Sequence, residues 1–270
     1  MHFDVRGLRL HALDRGQGEP VLLLHGWLDH AHSFDRLAPL LPGRTIALDW
    51  RGHGDSDWAP AAGFYHLMEY VADLDEVVLQ TGATRLVGHS MGAAIALVYA
   101  AARPARVRHV TMIDGAPMTV APREVPPRLT AWLDDLRKPR IRRRVASVED
   151  AAGRLTRFNA ALPQDVAALL AAHGVSRDGD ALAWKWDPWL RGHSPLPVTE
   201  DVLQALLAEV RAPVLLIRGE QGMTPDPAEL GARLSRIPGL RVETLAGTGH
   251  HLHLENAAAV ARLIAGGWAA

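Results

Sequence analysis

The sequence predicts an α/β fold: a mostly parallel central sheet flanked by helices, with an inserted helical segment. Three observations predict it. Continuous apolar runs such as Val21-Leu22-Leu23-Leu24 and Val214-Leu215-Leu216-Ile217 read as strands buried on both faces, as parallel strands are. Segments of helical period alternate with these runs, the pattern of a sheet covered on both sides. The alternation lapses from Pro117 to about Val202 and then resumes.

Taken in order, a first strand pair is expected near Phe3–Val5 and Leu8–Ala12. The run Val21–His25 ends at Gly26, and Thr45–Asp49 supplies the next strand. Leu67, Val71, Leu74 and Val78 recur at helical spacing, and Gly82 just beyond them is a helix stop. Arg85–His89 is a strand, Gly92–Ala102 an Ala-rich helix closed by Pro104, and Arg108–Asp114 another strand. Pro122, Pro126, Pro127 and Pro139 then punctuate a stretch whose short helical patterns start at Ser147 and Pro163. Residues 117–202 are therefore expected to form a helical cap of ordinary small-domain size, and residues 1–116 with 203–270 the core. A helix around Pro227–Ile237, a strand at Leu240–Leu245 and a helix from Asn256 to Ala265 complete that core.

Composition narrows the function classes. A chain of 270 residues accommodates one catalytic core plus an insertion. Its 48% hydrophobic and 22% charged residues are ordinary for a globular protein. A formal net charge of −1 argues against nucleic acid and anionic membrane surfaces as partners. With no cysteine, disulfides, thiolate metal sites and cysteine nucleophiles are excluded together. Met1–Leu10 carries no apolar run of signal-peptide type, and no segment is long and apolar enough to span a membrane. The expectation is a cytoplasmic enzyme, monomeric or homodimeric, acting on a small molecule.

The strongest chemical signal is Gly88-His89-Ser90-Met91-Gly92, a Gly-x-Ser-x-Gly turn between a strand and a helix. A serine on so sharp a turn has a strained backbone, and its flanks two residues away must be small. The turn exposes the hydroxyl and aims a helix N-terminus at developing negative charge. An ordinary strand–helix turn is the alternative, disfavoured by the β run before it and the helix run after it. His25-Gly26-Trp27 ends an earlier strand, where the fold places the second of two oxyanion-binding amides. Trp27 and Met91 are the candidate donors. The imidazole of His25 reads as structural in itself, although its place makes it a candidate to line the pocket.

A general base is expected in the loop Ala246-Gly247-Thr248-Gly249-His250-His251-Leu252-His253, which follows the last strand. His250, directly after Gly249, takes that role, with His251 second; His253 is assigned to local packing. No carboxylate or histidine partner has the spacing of a metal site with this cluster, so no metal is expected. The orienting acid has two candidates. The loop Arg218-Gly219-Glu220-Gln221-Gly222-Met223-Thr224-Pro225 has glycine at 222, where an aspartate would be expected. Asp114, at the end of an earlier strand, is therefore the first choice and Glu220 the second. A strand-end residue at the entry to the insertion is the competing reading of Asp114.

Taken together, these motifs resemble the α/β-hydrolase superfamily over essentially the whole chain. The resemblance rests on His25-Gly26-Trp27, Asp49-Trp50-Arg51-Gly52-His53-Gly54-Asp55-Ser56, the Ser90 turn and Gly249-His250, in that order. The stretch from Asp49 to Ser56 looks like the family's structural corner. The run from His25 to Leu37 looks like the serine hydrolase-like subgroup. The acid loop from Gly219 to Pro225 looks like that of some haloalkane dehalogenases whose acid follows the earlier strand. Those enzymes displace at carbon with an aspartate nucleophile, whereas a serine points to acyl transfer.

The resemblance implies a Ser90–His250–acid hydrolase with a helical cap, needing no metal or organic cofactor. The expected substrate is a small to medium, hydrophobic carboxylic ester. Trp184, Trp186 and Trp189 are candidates to line its pocket, or equally to anchor the cap. Arg140, Arg142, Arg143 and Arg144 read as a solvated helix face, or as a patch steering an anionic substrate. The same triad could serve a C–C bond hydrolase, a lactonase or a perhydrolase. A ligand receptor with slow or no turnover is the alternative of another class.

Overall fold

The computed structural model describes residues 1–61, 63–159, 162–224 and 227–269. Its elements follow in chain order: β1 (His2–Val5), β2 (Leu8–Arg15), β3 (Pro20–Leu24), β4 (Arg44–Leu48), α1 (Leu67–Thr81), β5 (Arg85–His89), α2 (Met91–Ala102) and β6 (His109–Ile113). Between β6 and β10 lie α3 (Val125–Asp135), β7 (Arg144–Val145), α4 (Val148–Phe158), α5 (Gln164–Gly174), β8 (Val175–Asp178), β9 (Ala181–Trp184) and α6 (Glu200–Leu207). The chain closes with β10 (Val214–Gly219), α7 (Pro227–Arg233), β11 (Arg241–Leu245), α8 (Leu252–Glu255) and α9 (Ala257–Ala269).

The central sheet runs β1-β2-β4-β3-β5-β6-β10-β11. Pairing is antiparallel at β1–β2 and β2–β4 and parallel elsewhere. Alternate residues of the parallel strands enter two separate cores, which is why these strands read as unbroken apolar runs. Leu22, Leu24, Leu86, Val110, Met112, Val214 and Leu216 face one core, which also takes residues from α1 and α2. Val21, Leu23, Val87, Ile113, Leu215 and Ile217 face the other, under α9. The C-terminal ends of β5, β6, β10 and β11 therefore open on one edge, where doubly wound sheets carry their sites.

Residues 117–202 are not purely helical, contrary to expectation. They include a three-stranded antiparallel sheet, β7-β9-β8, joined to α4 and α5. Polar contacts tie this segment to the rest: Trp27 Nε1–H donates to Leu190 O at 2.9 Å, and Trp58 Nε1–H to Lys185 O at 3.0 Å. Among the described residues no helix is long and apolar enough to cross a membrane.

Candidate active site

Ser90 joins β5 to α2 with φ 51° and ψ −115°, a conformation strained for any residue with a Cβ. Its surroundings require glycine. A Cβ on Gly88 would lie 2.4 Å from Gly92 C, one on Gly92 would lie 2.0 Å from Leu24 O, and one on Gly115 would lie 2.4 Å from Ser90 O. Each obstacle is backbone and cannot give way. The Ser90 hydroxyl makes no hydrogen bond among the described residues, and the residue is half-buried.

The second contributor is the loop after β3. A Cβ on Gly26 would stand 3.2 Å from Ser90 Cβ, so this loop runs beside the serine. Two neutral histidines hold its backbone. His25 Nδ1–H donates to Gly26 O at 2.7 Å, and its Nε2 accepts from Trp50 N–H at 3.1 Å. His53 Nδ1–H donates to Arg51 O at 3.0 Å, and its Nε2 accepts from Leu28 N–H at 3.2 Å. Both rings must stay unprotonated at Nε2. Burial lowers His25 to about 3 and His53 to about 4, which keeps them so. His25 is fully buried and structural, so the expectation that it lines a pocket is corrected. Among the described residues neither the Trp27 nor the Met91 backbone N–H has an acceptor.

The third contributor is the segment after β11. His250 Nδ1 faces Asp114 Oδ2 at 2.7 Å. Asp114, at the end of β6 with φ 39°, also accepts from Met223 N–H (2.7 Å), Thr224 Oγ1–H (2.8 Å) and Gly219 N–H (3.3 Å). Burial pushes its carboxyl up, but the His250, Met223 and Thr224 bonds outweigh burial and leave it below the usual range. Glu220, the second candidate for the acid, does not reach His250. It is exposed and accepts from Gly247 N–H at 2.9 Å, tying two loops together. Among the described residues His251 has no carboxylate partner: its Nδ1 is buried and unpaired, and burial lowers it to about 3.

Two supporting residues escaped sequence reasoning. His89, inside the pentapeptide itself, donates Nε2–H to His250 O at 2.9 Å. Glu255 accepts from Gly249 N–H at 2.6 Å and from His251 N–H at 3.1 Å, bracketing His250. Spacing within Gly249–Glu255 could have suggested Glu255; nothing local signals the His89 bond.

The tryptophan cluster divides. Trp184 and Trp186 are each 7% exposed, stack with ring centroids 6.1 Å apart and belong to the larger core. They anchor the 117–202 segment, which corrects their assignment to a pocket. Trp189 is half-buried beneath the Arg140 guanidinium, 4.7 Å from its ring centroid. Two surface concavities of about 240 and 250 Å³ are lined by Arg6, Arg51 and Phe64 and by Asp55, Trp58 and Lys185; neither is lined by Ser90, His250 or Trp27. The basic run is not on a helix, and of its arginines only Arg143 and Arg144 are solvated. Arg140 pairs with buried Asp187, and Arg142 donates to Ser176 Oγ and Trp184 O.

The sequence comparison decides the family, since the family model of the α/β hydrolase fold matches residues 19–257. The chain belongs to the α/β-hydrolase family. This α/β hydrolase is 30% identical over 265 residues to a serine hydrolase-like protein of Danio rerio, covering 92% of this chain and 80% of that one. It is 30% identical over 262 residues to a 2-(acetamidomethylene)succinate hydrolase of Mesorhizobium japonicum, covering 93% and 88%. A solved hypothetical protein of Pseudomonas aeruginosa PAO1 superposes at TM-score 0.90 with 35% identity, over 100% of this chain and 99% of that one. The serine hydrolase-like subgroup read from the motifs is thereby supported, and the α/β hydrolase is an enzyme of the hydrolase class.

Proposed function

We propose that the protein hydrolyses a carboxylic acid derivative, an ester first, through an acyl-enzyme on Ser90. The observation that carries this reading is the 2.7 Å contact between His250 Nδ1 and Asp114 Oδ2 beside the strained Ser90 turn. Asp114 is ionised and accepts the Nδ1 proton, so His250 Nε2 carries the lone pair. That nitrogen takes the Ser90 proton as Oγ bonds to the carbonyl carbon. The carbonyl π pair moves to oxygen, and the Trp27 and Met91 N–H groups stabilise it. As the tetrahedral species collapses, the proton passes from His250 to the departing alcohol. Water then adds to the acyl carbon, losing its proton to the same histidine, and Ser90 is released with the acid.

A specific observation favours an anionic substrate. Arg191 lies over Trp27, with its guanidinium carbon 5.8 Å from the ring centroid. Burial and neighbouring Arg143 both depress its pKa, and among the described residues neither arginine pairs with a carboxylate. A free carboxylate on the substrate would supply the missing charge. The Mesorhizobium japonicum relative is named for a substituted succinate, which supports this direction.

The test is intact mass after a fluorophosphonate, on wild type, Ser90→Ala and Asp114→Asn. One adduct on wild type, none on Ser90→Ala and slow labelling of Asp114→Asn are expected. A folded wild type that stays unlabelled refutes the reading. Paired neutral and carboxylate-bearing aryl esters, assayed on wild type and Arg191→Gln, then test the substrate class. The carboxylate preference should disappear in the variant.

A further inference from the structure

Beside the Ser90 turn, three side chains from distant stretches converge on one point. Asp29 belongs to the loop after β3, His89 ends β5 and His253 lies in α8. One ligand atom from each lies within 4.8 Å of the other two. His89 is 1% exposed and His253 0%, and their ring centroids are 4.3 Å apart. Among the described residues, Asp29 Oδ2, His89 Nδ1 and both His253 ring nitrogens are buried without a hydrogen-bond partner. Ser33 Oγ is buried beside the Asp29 carboxyl, and its hydrogen bond partly offsets the rise that burial gives that group's pKa. Burying one unpartnered polar atom costs about 1–3 kcal/mol, and native proteins leave few of them.

The character of these atoms selects the ligand. His89 Nε2 faces the His250 carbonyl at 2.9 Å and must carry the proton. Its Nδ1 therefore presents a lone pair. Burial raises the Asp29 carboxyl to about 7, and in its ionised form Oδ2 is an acceptor that a bound cation would favour; a neutral His253 has a lone pair to offer. A water would donate to His89 Nδ1 and Asp29 Oδ2 and accept from a His253 N–H, whereas a divalent cation takes a lone pair from all three and also neutralises the buried Asp29 carboxylate. Two imidazoles and a carboxylate suit zinc and its divalent neighbours. Zinc ligands at about 2.1 Å stand about 3.4 Å from one another, so small side-chain rotations close the set. A metal-bound imidazole usually donates its other N–H to a carbonyl or carboxylate, as His89 does.

We propose that Asp29, His89 and His253 bind a divalent transition-metal ion, zinc by preference. The ion would join the β3 loop, the end of β5 and the segment carrying His250. It would act by positioning: through His89 it holds the main chain of His250, and no reaction step passes through it. Spacing along the chain conceals the set, which is why the histidines of 250–253 gave no metal signature.

Two further clusters bring together ligand atoms as closely, His32–Asp35–His173 and His11–Asp49–Asp55. In each, a histidine is already paired with the carboxylate, His32 Nδ1 with Asp35 at 2.9 Å and His11 Nδ1 with Asp49 at 2.7 Å. They serve as controls.

The experiment is titration of chelator-stripped full-length protein with Zn²⁺, and with Co²⁺ read by its d–d absorption. One tight ion per chain and a raised melting temperature are expected. Asp29→Asn and His253→Gln should weaken binding by about 100-fold or more, by analogy with supporting residues worth 10–100-fold. His173→Gln should bind as wild type does. Asp29→Asn is isosteric and carries the test if His253→Gln fails to fold, as judged by circular dichroism. Folded wild type that takes up no tight ion overturns the proposal, as does unchanged affinity in Asp29→Asn. Fluorophosphonate labelling of Ser90, measured separately, distinguishes loss of metal from failure of the hydrolase reading.

Discussion

The Asp114 carboxylate fills the space that a side chain at residue 222 would enter: a Cβ on Gly222 would stand 2.2 Å from Asp114 Oδ1. On the proposed mechanism, the end of β6 or the loop after β10 can carry the orienting acid, but not both. Asp114→Asn should lower kcat by about 10³–10⁴-fold, by the precedent of a triad acid made neutral, while leaving KM near wild type. Gly222→Asp alone should inactivate and destabilise, since two carboxylates would collide. The double variant Asp114→Gly with Gly222→Asp should recover part of the activity that Asp114→Gly loses. Steady-state kinetics on the four proteins decide it, and a double variant no better than Asp114→Gly would contradict the exchange.

Buried neutral histidines predict acid sensitivity of the fold. Burial lowers His25 and His251 to about 3 and His30 and His53 to about 4. A histidine with a lowered folded pKa binds fewer protons folded than unfolded. Its stabilising share is complete above about pH 6.5, the unfolded value, and is lost as pH falls toward the folded value. Each such group steepens the loss by about 1.4 kcal/mol per pH unit within that window. Calorimetry from pH 7.5 to pH 5 should show a marked fall in melting temperature. A flat profile would mean that these rings are not held neutral.

The parallel strands were legible because both faces of each are buried, so Val21–Leu24 and Val214–Ile217 contain no polar residue. The Ser90 turn was legible because steric exclusion forces glycine at 88 and 92. What could not be read depends on partners distant in sequence. β8 is Val-Ser-Arg-Asp, buried only at its first residue, and gives no strand period. Arg140 looks like one of a solvated cationic run until Asp187 is placed beside it. Nothing around His89 announces that it holds the main chain of His250. Trp184 and Trp186 carry the same signal whether they pack a core or line a pocket, and only burial separates the two.

The carboxylate of Glu255 accepts both main-chain N–H groups that flank His250, at 2.6 and 3.1 Å. Charge-assisted bonds of this kind are worth about 1.5–3 kcal/mol each. Glu255→Ala should leave the protein folded but let His250 wander, lowering kcat about tenfold with little change in KM, in keeping with the steep cost of small misplacements. Fluorophosphonate labelling of Ser90 should slow in parallel, and Glu255→Gln, which keeps one acceptor oxygen, should lie between. Equal loss in KM and kcat would instead point to a binding role.

Asp187 is a buried charge that depends on its partner. It is fully buried, accepts from Arg140 Nε–H at 2.8 Å and from Tyr65 Oη–H, and also caps the turn at Trp189 N–H (3.0 Å). Its own N–H donates to Gly52 O at 2.8 Å, so it joins the 117–202 segment to the corner after β4. Removing Arg140 leaves a buried carboxylate with only neutral donors. Breaking a buried pair from one side costs about 3–5 kcal/mol, and the partial exposure of Arg140 puts Arg140→Ala near the lower figure. For a chain of this size about 3 kcal/mol corresponds to roughly 6–12 °C in melting temperature. Arg140→Ala with Asp187→Asn should recover part of that loss, because the amide is far cheaper to bury than the anion. If the double variant melts no higher than Arg140→Ala, the arginine contributes through packing on Trp58 and Trp189 rather than through charge.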